Sequence, residues 1–111
     1  MEKIMELADL LDRMSKEAIK GNVKTLIDMY VELKESLFVV FPIIIGLYSD
    51  ERMKDLSEDA MYWPGQLERI IDAFEGHNFI DMIYIYDVLK AETYANIIEF
   101  IGELRKRNIA D

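Results

Sequence analysis

Residues 4–33 read IMELADLLDRMSKEAIKGNVKTLIDMYVEL. Apolar residues recur at steps of three and four on both sides of Gly21 and Asn22, which is the spacing of one face of an α-helix. The stretch therefore predicts two amphipathic helices joined by a short turn. Their apolar faces, the second continued a little past residue 33, comprise Ile4, Leu7, Ala8, Leu11, Met14 and Ala18 before the turn, and Val23, Leu26, Ile27, Tyr30, Leu33, Leu37, Phe38 and Phe41 after it.

The turn itself has the residues that end one helix and begin another. Gly21 can end the first helix in the left-handed conformation, which glycine adopts without steric cost. Asn22 can accept a hydrogen bond from the first free amides of the next helix. So short a connection predicts an antiparallel helical hairpin.

The second half of the chain repeats this arrangement around Gly76, His77 and Asn78. The repeat predicts an all-α protein, a four-helix bundle of two antiparallel hairpins in a single domain covering residues 1–111. The apolar faces of its two helices comprise Ala60, Trp63, Leu67, Ile70, Ile71 and Phe74, and then Phe79, Met82, Ile83, Tyr86, Leu89, Tyr94, Ile97, Ile101 and Leu104.

Two prolines fall inside the predicted helices. Proline removes a backbone donor and clashes with the preceding turn, so we expect kinks in the second helix at Pro42 and in the third at Pro64. The third helix is either kinked near Trp63 or split into a short piece from about residue 50 to 61 and a longer one from residue 64 to 75.

Composition excludes several classes of protein. The chain has 111 residues, no cysteine, 13 basic and 22 acidic side chains, and a formal charge of −9. Without cysteine there is no disulfide framework, thiolate nucleophile or zinc finger, and a reducing, cytoplasmic compartment is expected. The negative charge disfavours nucleic acid and anionic membranes. The longest apolar stretch, residues 37–48, is too short for a bilayer span of about 20 residues.

The sequence offers little for metal or nucleotide chemistry. A di-iron site in a four-helix bundle needs two Glu-x-x-His pairs, but the single histidine, His77, is preceded by Phe74 at that spacing. The glycines are isolated from one another, so no phosphate-binding loop is predicted. The acidic run at residues 50–59 lacks the spacing of a calcium loop.

Catalysis is likewise not expected. Asp81, Asp87 and Glu92 are separated by steps of six and five residues, which do not gather them on one helix face. We therefore expect no catalytic, cofactor or metal site. The least favoured alternative is a small metal-binding or hydrolytic enzyme that uses these three carboxylates and His77.

The chain has more apolar residues than a four-helix core needs. On the fourth helix a second stripe of Ile80, Tyr84, Val88, Ala91, Ala95 and Ile98 runs beside the core stripe. Together with the apolar segment 38–47, this stripe predicts a surface that contacts another chain. Alternatively, the fourth helix is the central one, or the surplus is covered by a second copy in a homodimer. The candidate partner-binding residues are Ile80, Tyr84, Val88, Ile98, Phe38 and Phe41.

Residues 70–89, IIDAFEGHNFIDMIYIYDVL, resemble the final helical hairpin of small, mostly uncharacterised bacterial helical-bundle proteins. More loosely, Tyr86-Asp87 after an apolar run, and Met29-Tyr30, are similar to the Leu-Tyr-Asp-Gly element of flagellar export chaperones, although Val88 stands where those chaperones carry glycine. The resemblance implies a bacterial, cytoplasmic, non-catalytic bundle that binds another protein as an adaptor or export chaperone. The alternative is a homodimeric structural or regulatory module.

Overall fold

The computed structural model describes residues 2–56, 63–76 and 82–109, and all regular structure in these ranges is helical, as predicted. We call α4, the π-helical segment and α5 together the C-terminal run, because they follow one another without a break. The elements are α1 (Glu2–Lys20), α2 (Val23–Tyr48), a 3₁₀ turn (Glu51–Met53), α3 (Trp63–Glu75), α4 (Met82–Tyr86), the π-helical segment (Asp87–Tyr94) and α5 (Ala95–Lys106).

The connection between α1 and α2 is a glycine turn. Gly21 has φ +75°, the left-handed conformation expected of it, and its amide donates to the Ala18 carbonyl at 3.0 Å. The prediction that Asn22 caps α2 is wrong, since its side chain makes no capping hydrogen bond there. Its amide nitrogen instead donates to the Glu17 carboxylate at 2.6 Å. A hydrogen bond to a charged acceptor is stronger than one to a neutral group, which favours this arrangement.

Helix α1 is the most widely contacted element. It packs against α2 and against all three parts of the C-terminal run, while α3 packs on the π-helical segment. All six residues predicted for the apolar face of α1 are buried. The 26 residues of α2 span about 39 Å, close to the 42 Å long axis of the molecule. Helix α2 therefore runs the whole length of the protein.

Contacts between side chains show which parts of the helices face each other. Arg13 of α1 lies 3.6 Å from Glu32 of α2. The ring of Trp63 in α3 lies 5.6 Å from that of Phe100 in α5. The ring of Tyr30 in α2 stacks on Phe74 of α3 at 4.8 Å. The later part of α1 thus contacts the earlier part of α2. Likewise the earlier part of α2 contacts the end of α3, and the start of α3 contacts α5.

The two prolines lie in different helical contexts. Pro42 is inside α2, which remains helical from Val23 to Tyr48. Pro64 is the second residue of α3, in the first turn, where a missing amide leaves no hydrogen bond unmade. In the part of the predicted short helix that the structure describes, residues 50–56, the only helical element is the 3₁₀ turn Glu51–Met53. Asp50 caps this turn by accepting from the Arg52 amide at 2.8 Å. Residues 57–62 lie outside the described ranges.

The C-terminal run changes pitch in its middle. Its buried positions include Ile85, Leu89, Thr93, Ile97 and Ile101, each four residues after the last. In a regular α-helix a step of four residues overshoots a full turn by about 40°. Residues in this series would therefore turn progressively away from the protein core. The π-helical segment has wider turns, closed by i→i+5 hydrogen bonds such as that from the Ala95 amide to the Lys90 carbonyl. The wider turns keep the series on the core side.

Candidate protein-binding surface

Exposed apolar side chains are concentrated on one face of α2. Phe38 is 83% exposed and Ile45 is 68% exposed, so these large side chains lie almost entirely in solvent. Residues of the same helix only one position away, Leu37 and Ile44, are buried in the core. We call the exposed set the α2 seam, and it comprises Ile27, Val31, Phe38, Phe41 and Ile45, with Lys34 between them.

The seam residues lie on one line along the helix. Positions 27, 31, 34, 38, 41 and 45 follow steps of four, three, four, three and four. This is the a and d spacing of a heptad repeat, in which apolar residues average one per 3.5 residues and form a contact line between two helices. The line is 18 residues long, or about 27 Å at 1.5 Å per residue. Helix α2 is therefore apolar on two faces, only one of which the described chain covers.

Phe38 and Phe41, predicted partner residues, are both exposed at this seam. Ile27 was expected in the core and is 44% exposed, so that expectation is wrong. Val31 and Ile45 were not among the candidates. The heptad spacing that joins all five was present in the sequence, but a step of three or four also fits the core stripe of α2. The sequence alone did not separate the two faces.

A polar cluster borders the seam on the side of α3. The Tyr30 hydroxyl donates to the Glu75 carboxylate at 2.7 Å, and the Lys34 ammonium lies 3.6 Å from the same carboxylate. The Lys34 ammonium also lies 5.2 Å from the centre of the Tyr30 ring. Burial, and then the contact with Glu75, raises the pKa of Tyr30 far above its ordinary value. Tyr30 therefore stays a neutral donor, and the cluster joins α2 to α3 without covering the seam.

On its other side α2 forms an open groove with α1. The groove has a volume of about 650 Å³ and an apolar floor that includes Met5, Leu10 and Val39. Its acidic rim is partly neutralised, because Arg13 lies between Asp9 at 3.0 Å and Glu32 at 3.6 Å. The groove thus combines an apolar floor with an ion-paired rim, whereas the seam is a line of exposed apolar side chains.

The stripe predicted on the C-terminal run is interrupted at Val88, while Ala91, Ala95 and Ile98 after it are exposed. Ile80 lies outside the described ranges. Tyr84 is 39% exposed, but its hydroxyl accepts from Arg69 at 3.1 Å, and the same guanidinium lies over its ring. Val88 is 3% exposed, which contradicts its predicted role as a contact residue. The π-helical pitch turns it inward. Ile98 is 47% exposed and lies apart, beside α1.

Of the carboxylates considered for chemistry, Asp87 and Glu92 lie in the described ranges. Glu92 pairs with Arg69 of α3 at 2.5 Å, and Asp87 is exposed on the same run. His77 and Asp81 lie outside the described ranges. Within those ranges no group of three histidine, cysteine or acidic side chains is placed to hold a metal ion. None of the described helices combines the length and apolar character needed to cross a bilayer.

Comparison with known proteins finds no family model, no curated protein and no solved structure that matches this chain. The resemblance of residues 70–89 to bacterial helical bundles and export chaperones accordingly stays a prediction.

Proposed function

We propose that this protein is a non-catalytic protein-binding module, acting as an adaptor or export chaperone. The observation that carries the proposal is the α2 seam, a line of exposed apolar side chains about 27 Å long. Single exposed apolar residues are normal on soluble proteins, but contiguous apolar patches mark sites of interaction. The aromatic residues Phe38 and Phe41 at its centre belong to the residue types that anchor protein interfaces.

The proposed architecture is a bundle of two antiparallel hairpins, with a bend in α2 at Pro42. Three contacts support this arrangement. Asp12 of α1 pairs with Lys90 of the C-terminal run, and Arg105 near its end lies 3.8 Å from the Met5 sulfur near the start of α1. On α3, the aromatic contact of Trp63 with Phe100 has the same reversed order. Neighbouring helices that run in opposite directions give this pattern.

The charge of the chain supports the class of partner. A net charge of −9 repels phosphate backbones and anionic lipid, so we propose that the protein binds neither nucleic acid nor membrane. The same charge keeps a protein with an exposed apolar line soluble while it is free. We place its activity in the bacterial cytoplasm, in line with the absence of cysteine from the chain.

Capture of partners from a lysate of the organism that encodes the protein tests this function. Tagged wild-type protein and Phe38→Glu are compared, with Ile19→Glu as the control, because Ile19 is also exposed but lies on α1, outside the seam. Circular dichroism establishes that all three proteins are folded. We expect Phe38→Glu to lose a captured protein, at least about tenfold, because a charge at the centre of an interface is strongly unfavourable. Equal capture by all three would contradict a binding role for the seam.

The second candidate function is a homodimeric structural or regulatory module. The heptad spacing of the seam favours it, since the same spacing joins identical helices in coiled coils. In that case the seam is covered by the protein itself, and no further partner is needed at this face.

A further inference from the structure

We infer that the partner of the α2 seam is a second copy of this chain, packed with its α2 antiparallel to the first across a two-fold axis. The inference shares with the proposed function only the seam as the binding surface. It develops the second candidate function, the homodimeric module, by assigning the occupant of the seam, its direction and its register. Three properties of the seam point to a second copy, namely its spacing, the position of its lysine and its area.

The spacing is self-complementary. Steps of four, three, four, three and four read the same in both directions, so an antiparallel copy places an apolar residue opposite each apolar residue of the seam except Phe38. With the two-fold axis near residue 36, Ile27 meets the partner's Ile45 and Val31 meets the partner's Phe41. Lys34 meets the partner's Phe38. Each contact occurs twice, as a two-fold interface requires.

The lysine selects the antiparallel direction. In a parallel pair Lys34 would face the partner's Lys34 at the middle of the seam, and two ammonium groups would repel each other in a partly buried site. In the antiparallel pair each Lys34 lies opposite the partner's Phe38, and these two contacts of a cation with an aromatic ring are favourable. The side chain of Lys34 is 57% exposed, which leaves it accessible for these contacts.

The area is that of a weak, reversible dimer. The exposed fractions of the five apolar seam residues add up to about three complete side chains, or roughly 500 Å² per copy. Two copies would bury about 1,000 Å² in all, near the lower limit for a specific interface. We therefore expect a dissociation constant in the micromolar range, with monomer and dimer both present at concentrations that are convenient to measure.

The charge of the chain gives a test that separates a second copy from a basic partner. Each copy carries −9, so the two repel each other, and added salt screens the repulsion. Sedimentation velocity from low to high micromolar concentration, at low and at high salt, is expected to show a dimer that tightens with salt. A basic protein bound at the same seam would be released by salt.

Substitutions identify the surface, with Ile19→Glu as the matched control, since Ile19 is 68% exposed on α1 and lies outside the seam. Phe38→Glu is expected to raise the dissociation constant at least about tenfold, since an aromatic residue at the centre of an interface contributes most. Ile19→Glu is expected to leave the dissociation constant unchanged. Dimerisation that is unaffected by Phe38→Glu, or wild-type protein that stays monomeric at several hundred micromolar, would overturn the inference.

Cysteine pairing tests the direction directly, because the chain has no cysteine of its own. Ile27→Cys and Ile45→Cys are prepared separately and oxidised alone and as a mixture. In the antiparallel pair only the mixture is expected to form a disulfide, since the two copies of residue 45 lie about 27 Å apart. Efficient cross-linking of Ile45→Cys alone would show a parallel pair and contradict the proposed register.

Failure of the inference is distinguishable from failure of the proposed function. A protein that stays monomeric, yet captures another protein in a manner that depends on Phe38, would overturn the second copy as occupant and keep the seam as a binding surface. A protein that is monomeric and captures the same proteins with Phe38→Glu would overturn both.

Discussion

Helix α2 and the C-terminal run each carry two apolar stripes, but the outer stripe of the run is interrupted at the buried Val88, whereas all five apolar residues of the α2 seam are exposed. The run lies between α1 and α3, and both helices contact its π-helical segment. Helix α2 has α1 along one side and touches α3 mainly through the cluster of Tyr30, Lys34 and Glu75. The difference shows that the apolar circumference of a helix does not identify a binding surface by itself. The number of neighbouring helices decides which stripe stays exposed.

The borders of the two regions differ in the same way. Ion pairs join the C-terminal run to both of its neighbours, Lys90 to Asp12 of α1 and Glu92 to Arg69 of α3. Along the seam of α2 the only cation is Lys34, and its ammonium is directed to Glu75 at one edge. The C-terminal run is thus fixed inside the fold, while the outer face of α2 is available for contact.

The largest expected effect is a difference in the free energy of unfolding between a substitution in the C-terminal run and one in the seam. Phe100 of the C-terminal run is fully buried, whereas Phe38 of the seam is 83% exposed. Phe100→Ala is expected to lower the free energy of unfolding by about 3 to 5 kcal/mol, because it removes a buried ring and leaves a cavity. Phe38→Ala is expected to change it by less than about 0.5 kcal/mol. Urea denaturation at a concentration where the protein is monomeric measures both.

A large loss of stability in monomeric Phe38→Ala would mean that the seam is part of the core, and the contrast between α2 and the C-terminal run would disappear. Repeating the measurement at high protein concentration sharpens the comparison. There the dimer contributes to stability by mass action, so Phe38→Ala is expected to become destabilising only under that condition.

A smaller effect concerns the π-helical segment. The Thr93 hydroxyl is fully buried and makes no hydrogen bond among the described residues. Burying an unpaired hydroxyl costs about 1 to 3 kcal/mol. Thr93→Val keeps the branched shape and removes the hydroxyl, so it is expected to raise the free energy of unfolding by about 1 kcal/mol. Thermal and urea unfolding measure the change.

Thr93→Ser is the matched control, since it keeps the hydroxyl and removes the methyl group. It is expected to be destabilising, because a buried methyl group is lost and the unpaired hydroxyl stays. If Thr93→Val lowers stability instead, the hydroxyl has a partner, and the segment is held by a polar contact.

The fold could be predicted from the sequence where local chemistry decides the outcome. The spacing of Leu7, Leu11 and Met14 predicts the buried face of α1, and Gly21 predicts the end of that helix. Both predictions are confirmed. The π-helical segment could not be predicted, because it results from the packing of the run against two neighbours. Val88 was therefore assigned to the wrong face.

The candidate surface could be predicted only in part, for a related reason. Phe38 and Phe41 stand out because they add aromatic rings to an apolar segment. The spacing of Ile27 and Val31 fits the buried face of α2 as well as it fits the exposed face. Their exposure depends on how little of α2 is covered by α3. That quantity belongs to the tertiary structure and has no local signal in the sequence.

The smallest expected effect is a pH dependence at the border between α1 and the C-terminal run. The hydrogen bond from Lys90, opposed by burial and assisted by Lys16, lowers the pKa of Asp12. Because the pKa is lower in the folded state, this contact stabilises the protein above the ordinary pKa of about 3.9 and is lost as the pH falls through the lowered value. The hydrogen bond to Asp12 also raises the pKa of Lys90. The stabilisation therefore persists through neutral pH. On the alkaline side it is lost as the pH rises through the raised pKa of Lys90.

Lys90→Met removes this contact while keeping an unbranched stem near Tyr94. It is expected to lower stability at pH 7 by less than about 1 kcal/mol, since the lysine side chain is 36% exposed and solvent weakens the pair. The difference from wild type is expected to shrink as the pH falls through the lowered pKa of Asp12, because protonation removes the charge that Lys90 contacts. Lys16→Met is the control, because Lys16 pairs with the same carboxylate within α1 and is 67% exposed. Urea denaturation across this pH range measures the free energy of unfolding of the wild type and the two variants. Equal losses in Lys90→Met and Lys16→Met would show that the contact of Lys90 with α1 stabilises the protein no more than an ion pair within one helix.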